Sequence, residues 1–423
     1  MPQGITTYFR HVQEDPEETV YLRRGPADVW LLGIVLTLVG IGLVSVYSSS
    51  ALLAMHQLGD DMFYLRRQVG GAVLGLVALV VVSRIDYRRW RKLAYPLLAL
   101  SYAAVWAVFL PKIGIERNGS ARWINLGVVE VQPVELLKVT LIVWMAYSIA
   151  KKREDMGRFV EGYLPHVAFF LFCAIPLMMQ PDFGSTVILG VMVGAMMLMG
   201  GVGLKPLLVL GAMAIPVSIW AFTLKTYRVG RFEAWLDPWS SGSREAEQLR
   251  NSLVAIAEGG LWGKGLGSGH GRLGNVPELM NDFIAASIAE ELGTIGVVAL
   301  CLLYAGFLWR GIAIARRARD SFGQYLALGL TLLVILQALI NLMVATGLLP
   351  TKGLTLPFVS YGRTSLVILM AVTGVLLNIG QSNPDVLRAR EQERERDQAA
   401  RSLREVQDQV DGNRRSRITG RVR

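Results

Sequence analysis

Residues 27–49 read ADVWLLGIVLTLVGIGLVSVYSS, and after Asp28 no charged residue interrupts them. A spanning helix needs roughly 20 mostly apolar residues to cross about 30 Å of hydrocarbon. This stretch has that length and character, and the chain repeats the pattern. Mostly apolar segments recur at 67–86, 92–110, 133–150, 164–179, 184–201, 205–224, 283–309, 323–348 and 363–381. None alternates with the period of two expected of barrel strands, so a helical bundle is the remaining way to satisfy the backbone in lipid. The expected fold is an all-α, polytopic bundle of about ten transmembrane helices. A large extracytoplasmic loop, 225–282, should join the seventh and eighth.

Composition supports this reading. The chain is 52% hydrophobic and 18% charged, whereas about a quarter of a soluble domain is charged. The formal charge of +10 falls where topology would put it. Arg23 and Arg24, then Arg84 to Lys92, Lys151 to Arg153, Lys205 and Arg310 to Arg319 lie before the first span and then at every second connection between spans. The positive-inside rule places all of them, and both termini, in the cytoplasm. The basic surface therefore faces anionic lipid rather than nucleic acid. Residues 1–26 form a polar cytoplasmic segment with no cleavable signal, and 27–382 the membrane domain. Residues 383–423 are an Arg/Glu/Asp-rich tail, expected to be solvated.

Several features carry little chemistry. Cys173 and Cys301 fall inside expected spans and are read as packing residues. The four histidines form no ligand cluster, so no metal site is visible, although a divalent cation such as Mg is compatible with the chemistry below. Gly71/Gly75 and Gly190/Gly194 have the spacing of close helix packing. The glycine run 263–271 ends in a GxGxxG match from Gly269 to Gly274. No strand precedes it and Lys264 lacks a following Ser or Thr, so it reads as a hinge or tight turn.

Ionisable residues within spans are more informative, because a charge in the bilayer must face a protein interior or a watery cavity. Lys138 lies roughly 7 Å into the fourth span, and Glu290 and Glu291 about 12 Å past Asp282 in the eighth. A buried contact between Lys138 and Glu290 or Glu291 is expected. It would be either a packing bridge or the charged floor of an outward cavity. Asp282 precedes a helix at the outer surface. It either complements the helix dipole or serves as a general base.

Four segments give this chain a family resemblance. They are Asn118-Gly-Ser-Ala-Arg-Trp123 with Gln132-Pro-Val-Glu135 and Lys138; Gln180-Pro-Asp-Phe-Gly184; Asp282-Phe-Ile with Glu290-Glu-Leu-Gly293; and Gly347-Leu-Leu-Pro350 through Pro357-Phe-Val-Ser-Tyr-Gly362. In order and membrane placement they resemble the SEDS family (shape, elongation, division and sporulation) across roughly residues 27–382. The polar N-terminus and charged tail look more like the FtsW type than the RodA type. The chain departs from the family with Met280-Asn281, where His-Thr is common, and with Gly362-Arg-Thr-Ser365, where Gly-Gly-Ser-Ser is common. The second change introduces Arg363, a phosphate or headgroup ligand by chemistry.

The resemblance implies a peptidoglycan glycosyltransferase. It would polymerise lipid II at the outer face of the bacterial cytoplasmic membrane, at the division septum, with a nascent glycan strand as product. It also implies a class B penicillin-binding protein and other division proteins as partners. Asp282 would be the catalytic base. Arg122, Trp123, Lys138, Glu290, Glu291 and Ser360 would surround it. A pyrophosphate leaving group needs cations, and Arg67, Arg122, Arg228, Arg231, Lys264 and Arg363 stand on outward segments. A lipid-linked precursor flippase, an elongation polymerase of the RodA type and a non-catalytic scaffold are the alternatives.

Overall fold

The computed structural model describes residues 25–382, except 112, 118–119, 126, 128–129, 224–225, 269–279 and 352, and the side chains of 117, 120 and 214–229. The tail from 383, the GxGxxG match and the Arg228 side chain lie outside the described residues.

A helix forms at each expected span. In chain order they are α1 (Val29–Leu58), α2 (Phe63–Ser83), α3 (Arg88–Ala107), α4 (Pro133–Lys151), α5 (Leu164–Met179), α6 (Phe183–Met199) and α7 (Leu204–Thr223). Two helices of the large loop follow, α8 (Thr226–Leu236) and α9 (Arg244–Gly259). The chain then closes with α10 (Ile284–Arg316), α11 (Ser321–Ala345) and α12 (Arg363–Gln381). Among the described residues, α1, α2, α4, α5 with its preceding turn, α10, α11 and α12 are long and apolar enough to cross a membrane. Phe183–Met199 and Leu204–Met213 are shorter apolar helices, and α3 opens on Arg88, Arg89, Arg91 and Lys92. The molecule is a multi-pass helical membrane protein.

Polar residues set the helix boundaries. Asp28 caps α1 by accepting from the Leu31 amide at 3.0 Å, Asp182 caps α6 at 3.2 Å, and Asp320 caps α11 at 2.7 Å. Each satisfies a donor that helix geometry leaves free. The α11 helix is buried on almost every face and packs against α10, α4, α6 and α12. Of the glycine pairs, Gly71 and Gly75 do bring two helices together. A Cβ at Gly71 would lie 3.2 Å from the Arg363 side chain, and one at Gly75 2.9 Å from Met370. Gly190 lies against Phe170, whereas Gly194 has nothing beside it. Cys173 is buried, as a packing residue should be, but Cys301 is exposed.

Two features differ from a plain bundle. Within the segment 111–132, between α3 and α4, runs an antiparallel sheet in the order β1 (Gly114–Arg117), β2 (Ser120–Asn125), β3 (Glu130–Val131). The eighth span is also not one continuous helix. It breaks at Gly293, whose φ of 69° and ψ of −169° suit glycine alone. The half-helix before the break, Ile284–Glu291, is buried on all sides. After it, Ile295, Val298, Leu302 and Trp309 are exposed, as a lipid-facing helix requires.

Candidate active site

The broken helix places Asp282. Residues 280–282 run into the N-terminus of the inserted half-helix, where the positive end of the dipole favours a carboxylate. Backbone and buried side chains hold this segment from two sides. Asn341, 1% exposed near the C-terminal end of α11, donates to the carbonyls of Asp282 at 2.8 Å and Leu354 at 2.6 Å. Ser360 donates to the Asn281 carbonyl at 2.5 Å, and the Tyr361 amide donates to the Met280 carbonyl at 3.0 Å. Gln68 of α2 then fixes the Ser360–Gly362 loop by donating to the Ser360 carbonyl at 3.1 Å and accepting from the Gly362 amide at 3.3 Å.

Asp282 lines a cavity of about 410 Å³. Its walls come from the start of α2 (Phe63, Tyr64, Arg67), from the sheet and its exit (Arg122, Trp123, Glu130, Gln132), from Asn281, and from residues 353–365 around Tyr361 and Arg363. Three arginines thus face two carboxylates, an excess of positive charge that suits an anionic ligand. Arg67 lies 4.3 Å over the Phe63 ring. Arg122 is held by the Gln180-Pro181 turn, donating to the Pro181 carbonyl at 2.8 Å. That turn is itself anchored by Gln180, which donates to the Val105 carbonyl at 2.8 Å. Thr364 ties α12 to the sheet through the Glu130 carbonyl at 2.7 Å. Burial keeps the Tyr361 hydroxyl above its ordinary pKa, although Arg363 and Arg67 pull it the other way. It therefore stays protonated near neutrality.

The cavity gathers Asp282, Arg67, Arg122, Trp123 and Arg363 from the residues expected in the site. Ser360 stands behind them, positioning Asn281. The remainder lie elsewhere. Lys138, wholly buried, pairs with Glu135 at 2.7 Å on its own helix and not with Glu290 or Glu291. Residues three apart share a helix face, and that spacing supplies the partner locally. Glu290 lies 3.5 Å from Lys264. Glu291 accepts from Ser48 and from the Gly267 amide at 3.3 Å.

These contacts belong to a clasp at the far end of the half-helix. The Lys264 and Gly265 amides take up the Glu290 and Glu291 carbonyls at 2.9 and 3.0 Å, carbonyls that the break at Gly293 removes from the α-helical ladder. Of the two readings from sequence, hinge or tight turn, the described part of the glycine run, 263–268, fits the turn, and it closes on the broken helix. Glu258 is the main reason the Lys264 ammonium titrates above its usual range. Arg231 of α8 pairs with Glu245 of α9 at 3.4 Å, away from the cavity. Sequence reasoning missed Gln68, Asn341 and Tyr361. Gln68 and Asn341 carried a legible signal, an amide within an apolar span.

The family sequence description of FtsW, RodA and SpoVE, "Cell cycle protein", matches residues 29–384. A probable peptidoglycan glycosyltransferase FtsW of Geobacter sulfurreducens is 37% identical over 352 residues, 83% of this chain and 94% of that protein. Stage V sporulation protein E of Bacillus subtilis is 35% identical over 355 residues, covering 84% and 97%. Among solved structures, a chain from work titled "Structural coordination of polymerization and crosslinking by a peptidoglycan synthase complex" superposes with a TM-score of 0.70 at 29% identity, covering 85% of this chain and 98% of that one. The rod shape determining protein RodA of Thermus thermophilus gives 0.60 at 26% identity with the same coverage.

Proposed function

Because the chain belongs to the FtsW/RodA/SpoVE family, we propose that it is a peptidoglycan glycosyltransferase polymerising lipid II, with residues 27–382 as its catalytic domain. The observation that carries this reading is the convergence of Asp282 with Arg67, Arg122 and Arg363 on one cavity. Chain extension joins an acceptor sugar hydroxyl to the anomeric carbon of a donor. As that C–O bond forms, the bond to the polyprenyl pyrophosphate breaks, and the leaving group departs with the electron pair. Asp282 takes the hydroxyl proton as general base. The arginines stabilise the charge growing on the pyrophosphate, and their planar forks suit phosphate oxygens. Trp123 and Tyr361 offer flat faces and a hydroxyl to the sugars. A divalent cation would share the leaving group's charge beside Asp282 and Glu130. No step here depends on it, and the described residues hold no cluster of three metal-ligating side chains.

In this reading the cavity opens to the outer face of the cytoplasmic membrane, with both termini inside. The likeness to FtsW proteins supports a role at the division septum. The likeness to a chain of a peptidoglycan synthase complex supports partnership with a class B penicillin-binding protein, which would crosslink the new strand. Vesicles carrying the protein, its partner and lipid II on both faces test the proposal. Glycan polymer without lipid II translocation is the expected result. Translocation without polymer would make the protein a flippase instead.

A further inference from the structure

At the basic end of the bundle, remote from the Asp282 cavity, a second hollow of about 200 Å³ opens between the start of α1 and the ends of α10 and α12. Its walls combine Asp28, Trp30, Arg310, Ile314, Arg317 and Gly380. Asp28 and Arg310 cancel each other. The Arg310 Nε lies 3.0 and 3.2 Å from the two Asp28 oxygens, and its Nη2 donates to Asp28 as well. Asp28 also accepts from the Leu31 amide, so this carboxylate is spent on structure. Arg317 has no acidic partner among the described residues. Beside it lies the N-terminus of α1, where the Leu31 amide is taken by Asp28 and the first-turn amides before it add partial positive charge. The hollow thus carries one uncancelled cation and a helix N-terminus.

The rim identifies the kind of anion. Val29 and Trp30 are 75% and 74% exposed, and Trp309, one residue before Arg310, is 67% exposed. Both α1 and α10 are membrane-crossing helices by length and hydropathy, so these side chains stand at the level where tryptophan anchors to headgroups. Apolar exposed residues continue along the same helices as Leu36, Val44 and Leu302. We propose that the hollow binds one anionic phospholipid of the inner leaflet. Its phosphate sits against Arg317 and the N-terminus of α1, Trp30 packs at its glycerol level, and its acyl chains lie along α1 and α10. A soluble phosphate would use the same cation but gain nothing from the aromatic and apolar rim.

Native mass spectrometry of the detergent-washed full chain, with phosphatidylglycerol titrated back, tests this. The wild type should retain one phosphatidylglycerol in preference to phosphatidylethanolamine. Arg317→Gln should bind it about fivefold more weakly, the effect of one basic residue at a membrane surface. Trp30→Ala should also weaken it, and Arg316→Gln, outside the hollow, should not. Equal retention by Arg317→Gln, equal retention of the zwitterionic lipid, or displacement by millimolar inorganic phosphate would each overturn the proposal. The Arg317 variant's melting temperature, read alongside, separates lost binding from lost folding.

Discussion

Asp282 is anchored through its backbone carbonyl, which accepts from Asn341, so a change of its side chain leaves that anchor in place. Asp282→Asn keeps the size and removes the base. It is expected to slow polymerisation at least about 100-fold, the usual worth of a positioned general base, with unchanged expression and melting temperature. Arg363 makes a different demand. Its guanidinium presents a planar fork, which a lysine ammonium cannot reproduce. Arg363→Ala should therefore lower kcat by about 100-fold, by analogy with the loss of one charge-stabilising donor, and Arg363→Lys should recover only part of it. Steady-state polymerisation kinetics decide between this and a headgroup role that any cation could fill. Behind the cavity, Asn341→Leu removes both hydrogen bonds to the Asp282 and Leu354 carbonyls. It should cost roughly 1–3 kcal/mol through unsatisfied carbonyls and lower the melting temperature as well as the rate.

The break in α10 is the element on which the site depends. Its cause is geometric. A Cβ at Gly293 would fall 2.4 Å from the Gly263 amide nitrogen and the Leu261 carbonyl oxygen, and its φ is in the left-handed region. Gly293→Ala should cost at least about 1–3 kcal/mol from backbone strain alone. Thermal unfolding followed by size exclusion would show it as a lowered midpoint, and an unchanged midpoint would mean the clasp is loose. The Glu135–Lys138 pair in α4 is tested by comparison within a cycle. Lys138→Met leaves a buried carboxylate unpaired, at a cost of roughly 3–5 kcal/mol, whereas Glu135→Leu with Lys138→Met should restore most of that stability.

Sequence period and hydropathy marked the helices well, because a span of twenty apolar residues has few alternatives in lipid. They could not mark the break, since Glu290-Glu-Leu-Gly293 reads as helix until the loop from Gly259 to Gly267 is seen to take over its carbonyls. The three-stranded sheet was equally hidden, being two to six residues per strand in a segment rich in glycine and charge. Of the residues lining the cavity, Asp282, Arg122 and Trp123 lie in motifs that could be read from sequence. The partners of the buried charges could not, because a one-dimensional reading favours dramatic long-range pairs over the Glu135 three residues away.

At the scale of the whole molecule, the start of α2, the sheet, the start of α10 and the loop before α12 gather a charged cavity around Asp282. The same bundle carries a basic hollow at its other end, so one chain contacts polar lipid groups at both surfaces. The cavity around Asp282 is proposed as the polymerising site. The most direct test is lipid II polymerisation by the purified full chain with its crosslinking partner, comparing wild type with Asp282→Ala. The wild type should give glycan strands and the variant none, with lipid II still bound by both. Strands made by Asp282→Ala at the wild-type rate would contradict it.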